Sequence, residues 1–119
     1  MRSLLFVPAG TDSWRSSILQ PMQYAVVPPY PAAAAIAAVG GLTAVDGAVV
    51  LNTRYEVLGF GAKILRRKGS PPVEQVMLTE PIQGAKPSVV HPDQLGGTRH
   101  LSAAQFVNDQ QDAVAMVAS

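Results

Sequence analysis

Two short stretches of this chain combine residue types and spacings that could do chemistry. In the first, Asp46 stands inside an otherwise apolar run, Val45 to Leu51. An unpaired carboxylate among valines costs several kcal/mol to bury unless a metal, a hydrogen-bond donor or water meets it. Asp46 is therefore either a carboxylate that holds a divalent metal or deprotonates a hydroxyl, or a residue at the strand's exposed start that caps a turn. Gly47 beside it lets backbone come close. In the second stretch, Gly96-Gly97-Thr98 precedes Arg99 and His100. Glycines at a turn into a helix leave the first N–H groups pointing outward, where an anion binds. Arg99 adds a planar cation suited to phosphate oxygens, and His100 a donor or proton-transfer group. The plainer alternative is an ordinary turn and helix cap with Arg99 and His100 solvated.

Little else in the sequence competes. Gly59-Phe60-Gly61 lacks the third glycine of a dinucleotide fingerprint, Ile64 standing in its place, and Gly61-Ala62-Lys63 lacks the spacing and hydroxyl of a P-loop. No Gly-x-Ser-x-Gly elbow supports a serine hydrolase. His91 and Asp93 lie two apart, but with two histidines and no cysteine a structural metal site has too few ligands. The basic run Lys63, Arg66, Arg67 and Lys68 sits in a Gly/Pro-rich stretch and is read as a solvated hairpin tip.

Composition bounds the rest. A length of 119 residues fits one domain, and 48% hydrophobic with 14% charged residues is too apolar for a disordered segment. The absence of cysteine excludes disulfides, thiolate zinc and cysteine catalysis. A net charge of +1 argues against strong nucleic-acid binding. Met1 to Val7 begins like a signal peptide, but Pro8 and Gly10 end the apolar run too early. The prolines at 28, 29 and 31, Gly40, Gly41 and Asp46 break the apolar region 24–51, so no span crosses a membrane and a cytoplasmic location is expected.

The elements that must position the two stretches follow from periodicity. Residues 1–23 are mixed, with Trp14 and Ile18 four apart, and read as a poorly ordered lead-in to a domain over 24–119. Pro31 suits the start of an apolar, buried helix through Val39 that Gly40-Gly41 stops. Leu42 to Leu51 reads as a central strand covered on both faces, turning at Asn52-Thr53-Arg54 into a neighbour over 55–64. A further strand is expected within 73–78. Thr98 supplies a capping hydroxyl to a helix over Arg99 to Asn108, with Leu101, Ala104 and Val107 as its apolar stripe, and Asp112 to Ala118 forms a last strand. The fold class is α/β, a mixed sheet flanked by helices.

Asp46-Gly47-Ala48 on a strand, followed by Gly97-Thr98-Arg99-His100 opening a helix, resembles the diadenylate cyclase domain. That domain is the nucleotide-binding module of bacterial DNA-integrity scanning proteins, and the resemblance spans roughly residues 31–119. It implies that Asp46 is the catalytic carboxylate and metal ligand, for magnesium or manganese. It implies also that Gly47 and Ala48 line the nucleotide and that Gly97, Thr98, Arg99 and His100 hold phosphates. Leu101 replaces the family's second arginine, which removes a cation from the triphosphate cradle. The connector between Ile64 and Gly97 is longer than in typical cyclases, and the chain ends where family members continue, as a fragment would. The resemblance with these departures points to a sensor that binds an adenine nucleotide or cyclic dinucleotide without efficient catalysis and needs no metal. One alternative is an active cyclase, converting two ATP into cyclic di-AMP and pyrophosphate as a homo-oligomer with two domains face to face. The other is a ligand-free interaction module that docks partners on its final strand.

Overall fold

The computed structural model describes residues 3–18 and 47–117. The expected helix over 31–39, the first half of the expected central strand and Asp46 itself lie outside the described residues. The chain is a small mixed α/β protein. Strands β1 (Ser3–Val7), β2 (Ala48–Asn52), β3 (Val57–Ala62) and β6 (Val114–Val117) form one sheet in the order β3-β2-β1-β6. Strands β4 (Val76–Leu78) and β5 (Ser88–Val90) make a separate antiparallel ribbon. The described residues contain one α-helix, α1 (Thr98–Asp109), and two short 3-10 turns, Ser13–Ser17 and Pro92–Leu95. No helix among them is long and apolar enough to cross a membrane.

The sheet is mixed because β1 pairs parallel with β2 and antiparallel with β6, while β2 and β3 form an antiparallel hairpin. Every residue of β2 is buried, as a continuous apolar run in a strand covered on both faces requires. On one face Leu5, Val7, Val50 and Ala62 pack with Trp14, Ile18 and Phe106; on the other, Val49, Leu51 and Val57 pack with Leu4, Phe6 and Phe60.

The N-terminal segment departs from expectation. Instead of a poorly ordered lead-in, it supplies β1, the strand between β2 and β6, so residues 3–7 belong to the same sheet as the rest. A five-residue strand has too few alternations to register as a period, and its partner lies more than forty residues downstream. Trp14 and Ile18 do not mark a helical face either. Trp14 closes a 3-10 turn at 1% exposure, donating its indole N–H to the Thr11 carbonyl, and Ile18 bridges to Ile64.

The β2–β3 turn is built by Asn52. Its Oδ1 accepts from the backbone N–H groups of Arg54 (2.9 Å) and Glu56 (3.0 Å), its amide donates to the Glu56 carboxylate, and Tyr55 takes a left-handed φ of 61°. An asparagine side chain that mimics backbone is the physical reason this turn was legible.

Candidate functional site

The glycine turn before α1 has the expected place but a different cap. Helix α1 begins at Thr98, and Gly97 is its N-cap, with φ 85° and no side-chain hydrogen bond to the first turn. Thr98 is thus the first helical residue and not the capping hydroxyl. The first carbonyl to accept within the helix is that of Gly97, from Leu101 N–H at 3.2 Å. A Cβ on Gly97 would meet nothing within 4 Å, so its surface is open. Arg99 is exposed and forms no ion pair among the described residues. His100 behaves differently. Its ring lies over Gly96, where a Cβ would come within 2.4 Å of Cε1, and its Nδ1 is buried with no hydrogen-bond partner.

The helix buries Ala103, Gln105 and Phe106 most deeply. His100, Ala104 and Val107, together with one side of Ala103, line a groove of about 510 Å³ shared with β4 and β6. Leu101, expected on the apolar stripe with Ala104 and Val107, is half-buried like them but does not line this groove; it lies about 100° around the helix from His100, toward Gln105.

At the other motif, Gly47 has φ 105°, and a Cβ there would stand 2.7 Å from the Gly61 carbonyl carbon and 2.9 Å from the Ala62 oxygen. The close approach that makes glycine necessary comes from β3. Ala48 is 3% exposed and packs in the core.

The topology brings both motif segments to one end of the sheet. Leu4 is level with Val49 and Ser3 with Val117, so Gly47-Ala48 and the end of β6 share an edge. Helix α1 packs on β6 and connects to it through residues 110–113, so it runs back antiparallel and its N-terminus returns to that same edge. His100 and Val117 line one groove, as this direction requires. β2 is two strands from β6, about 10 Å by strand spacing. No group of three or more His, Asp or Glu side chains among the described residues could hold a metal.

The opposite end of the sheet carries a polar cleft of about 620 Å³, between the loop after β1, the 67–70 turn and the C-terminus of α1. The basic side chains Lys63, Arg66, Arg67 and Lys68 are exposed, as a solvated run requires, but they do not cap a hairpin, because β3 and β4 do not pair, and the backbone of the turn is tied to α1. Asp109 accepts from the Arg67 backbone N–H at 2.8 Å, from the Ser70 hydroxyl, from Gln105 Nε2 at 2.9 Å and from Asn108 Nδ2 at 3.2 Å. Burial pushes the Asp109 carboxyl up, but these donors together outweigh it and hold it below the usual carboxylate value. Gln105 fastens the next residues, accepting from Val73 N–H at 2.9 Å and donating to the Pro71 carbonyl at 3.1 Å.

No family model, curated protein or solved structure matches this chain.

Asp109 and Gln105 escaped the sequence reading because their partners lie 32 to 42 residues away. The one available signal is a Gln and an Asp four apart, the Asp one residue past the end expected for the helix, a spacing that places both on one flank if the helix continues through it.

Proposed function

We propose that this chain binds the phosphates of an adenine nucleotide or cyclic dinucleotide at the sheet edge between Gly47 and the start of α1, and acts as a sensor without efficient catalysis. The observation that carries the reading is the uncapped, open N-terminus of α1 at Gly97, next to an exposed and unpaired Arg99, on the same sheet edge as Gly47. Free N–H groups and a guanidinium together favour a phosphate oxyanion. Thr98, the first residue of α1, adds its hydroxyl to the same proposed site. His100 contributes less in its present rotamer, since its ring rests on Gly96.

The absence of efficient turnover rests on Leu101, which supplies no charge to a departing pyrophosphate. Losing one preorganised donor from such a site typically costs about 10² to 10³ in rate. No step is assigned to a metal here: Asp46, its candidate ligand, lies outside the described residues.

Calorimetric titration with ATP and with cyclic di-AMP tests the proposal, with product analysis after incubation with ATP and manganese. Binding of at least one ligand, weakened by about 1.5 to 3 kcal/mol in Arg99→Ala, and no accumulation of cyclic di-AMP is the expected result. No binding of either ligand overturns the nucleotide reading, and rapid product formation overturns the sensor reading in favour of a cyclase.

A further inference from the structure

The cleft at the opposite end of the sheet is independent of the nucleotide reading, and its lining carries charges of both signs. Arg67 and Lys68 stand on one wall, exposed, and neither side chain forms an ion pair among the described residues. Their turn is fixed from below by the Arg67 N–H and Ser70 hydroxyl bonds to Asp109 and by the Ser70 N–H bond to the Arg67 carbonyl at 3.0 Å. The backbone is therefore held while the two cationic side chains are left without a partner. Asp109 forms no ion pair with them; it accepts from four neutral donors, three at Oδ1 and the Arg67 N–H at Oδ2. Asp112, an exposed carboxylate in the turn between α1 and β6, lines the same cleft, and the loop after β1 adds the hydroxyl residues Thr11 and Ser13. Buried Trp14 also borders the cleft.

Two cations and a carboxylate that form no ion pair among the described residues, lining one cleft together with hydroxyls, match a small zwitterion. We infer that this cleft binds a small molecule of the free α-amino acid type, its carboxylate held by Arg67 and Lys68 and its ammonium by Asp112. Arg67 offers a planar fork that meets a carboxylate through two parallel bonds. The hydroxyls and the Asn108 amide can accept or donate to a polar side chain of the ligand.

Trp14 is the chain's single tryptophan and borders this cleft, so its fluorescence reports on occupancy here and not on the far edge of the sheet. The test titrates the full chain with L-glutamine, with N-acetyl-L-glutamine, which lacks the ammonium, and with the α-amide of L-glutamine, which lacks the carboxylate. The expected result is a saturable change in Trp14 emission with L-glutamine, at least tenfold weaker for either blocked form. Arg67→Ala should abolish the preference for the free carboxylate and Asp112→Asn the preference for the free amine, while Arg99→Ala leaves both intact. Both substituted side chains are exposed, and the Arg67 anchor is its backbone, so the fold should survive; Lys68→Ala is the second variant should Arg67→Ala unfold. Equal response to all three compounds, no saturable response to any, or preferences unchanged in the Arg67 and Asp112 variants would overturn the inference.

Discussion

Replacing Asp109 by alanine should loosen the 67–73 loop and lower the stability of the whole domain. The carboxylate is the common acceptor for Arg67 N–H, Ser70 Oγ, Gln105 Nε2 and Asn108 Nδ2; the first two join α1 to a loop about forty residues away in sequence, and the third holds Gln105, which itself bonds Val73 N–H and the Pro71 carbonyl of that loop. A hydrogen bond to a charged group contributes about 1.5 to 3 kcal/mol when well buried. The Arg67 and Asn108 bonds are exposed and count for little, whereas those from Ser70 and Gln105 are partly buried. With solvent screening, about 1 to 1.5 kcal/mol for each of these two gives a loss of about 2 to 3 kcal/mol. In a domain of this size that corresponds to roughly 6 to 15 °C in Tm. The dependence on pH has a definite sign. Asp109 titrates below its ordinary value of 3.8 in the folded chain, so its contribution is complete above that value and is lost as the pH falls through the lower, folded one. Wild type and Asp109→Ala should therefore converge in acid. Thermal unfolding by circular dichroism at neutral and acid pH, with amide exchange at Arg67 and Val73, measures all of this. A change under about 0.5 kcal/mol, with both amides exchanging as in wild type, would refute the view that Asp109 anchors the loop.

Three further outcomes follow from local geometry. Gly47→Ala should cost about 2 to 4 kcal/mol, because the new Cβ would stand 2.7 Å from β3 backbone at a φ of 105°; chemical denaturation that gives a wild-type midpoint would exclude that close approach. Asn52→Ala should cost about 1 to 3 kcal/mol, since Asn52 is 3% exposed and its Oδ1 receives two backbone N–H groups; the same denaturation curves read it. Leu101→Arg should tighten ATP binding by about 0.5 to 1 kcal/mol with little change in Tm, because the position is half-buried near the first turn of α1; calorimetry showing unchanged affinity would remove residue 101 from the phosphate site.

What could be read in advance and what could not divides along physical lines. The β2–β3 hairpin, α1 to within a residue and β6 were legible, because each carries a local signal: an apolar run, Asn52 at a turn, glycines before a helical period. β1 was not, because its stability comes from pairing with strands remote in sequence on both sides. β5 was lost for a similar reason, as three residues in a Pro/Gly-rich stretch leave no period to detect. At the candidate site, spacing could place the Gly97 turn but not the His100 rotamer, which depends on the absence of a Cβ at Gly96. The close backbone approach expected at Gly47 is present, and the backbone that comes near is that of Gly61 and Ala62. The exposure of the basic run is legible, but the anchoring of the 67–70 turn is not, because a basic run looks alike whether or not a distant carboxylate holds its backbone.

The central claim, a phosphate ligand at the sheet edge shared by Gly47 and α1, is tested most directly by mapping backbone amide shifts in the presence of ATP and of cyclic di-AMP. The account predicts saturable shifts at Gly47, Gly97, Thr98 and Arg99, removed by Arg99→Ala, with the amides of Arg67 to Ser70 unmoved. Shifts confined to the far cleft, or none at Gly97 and Thr98 at saturating nucleotide, would contradict it.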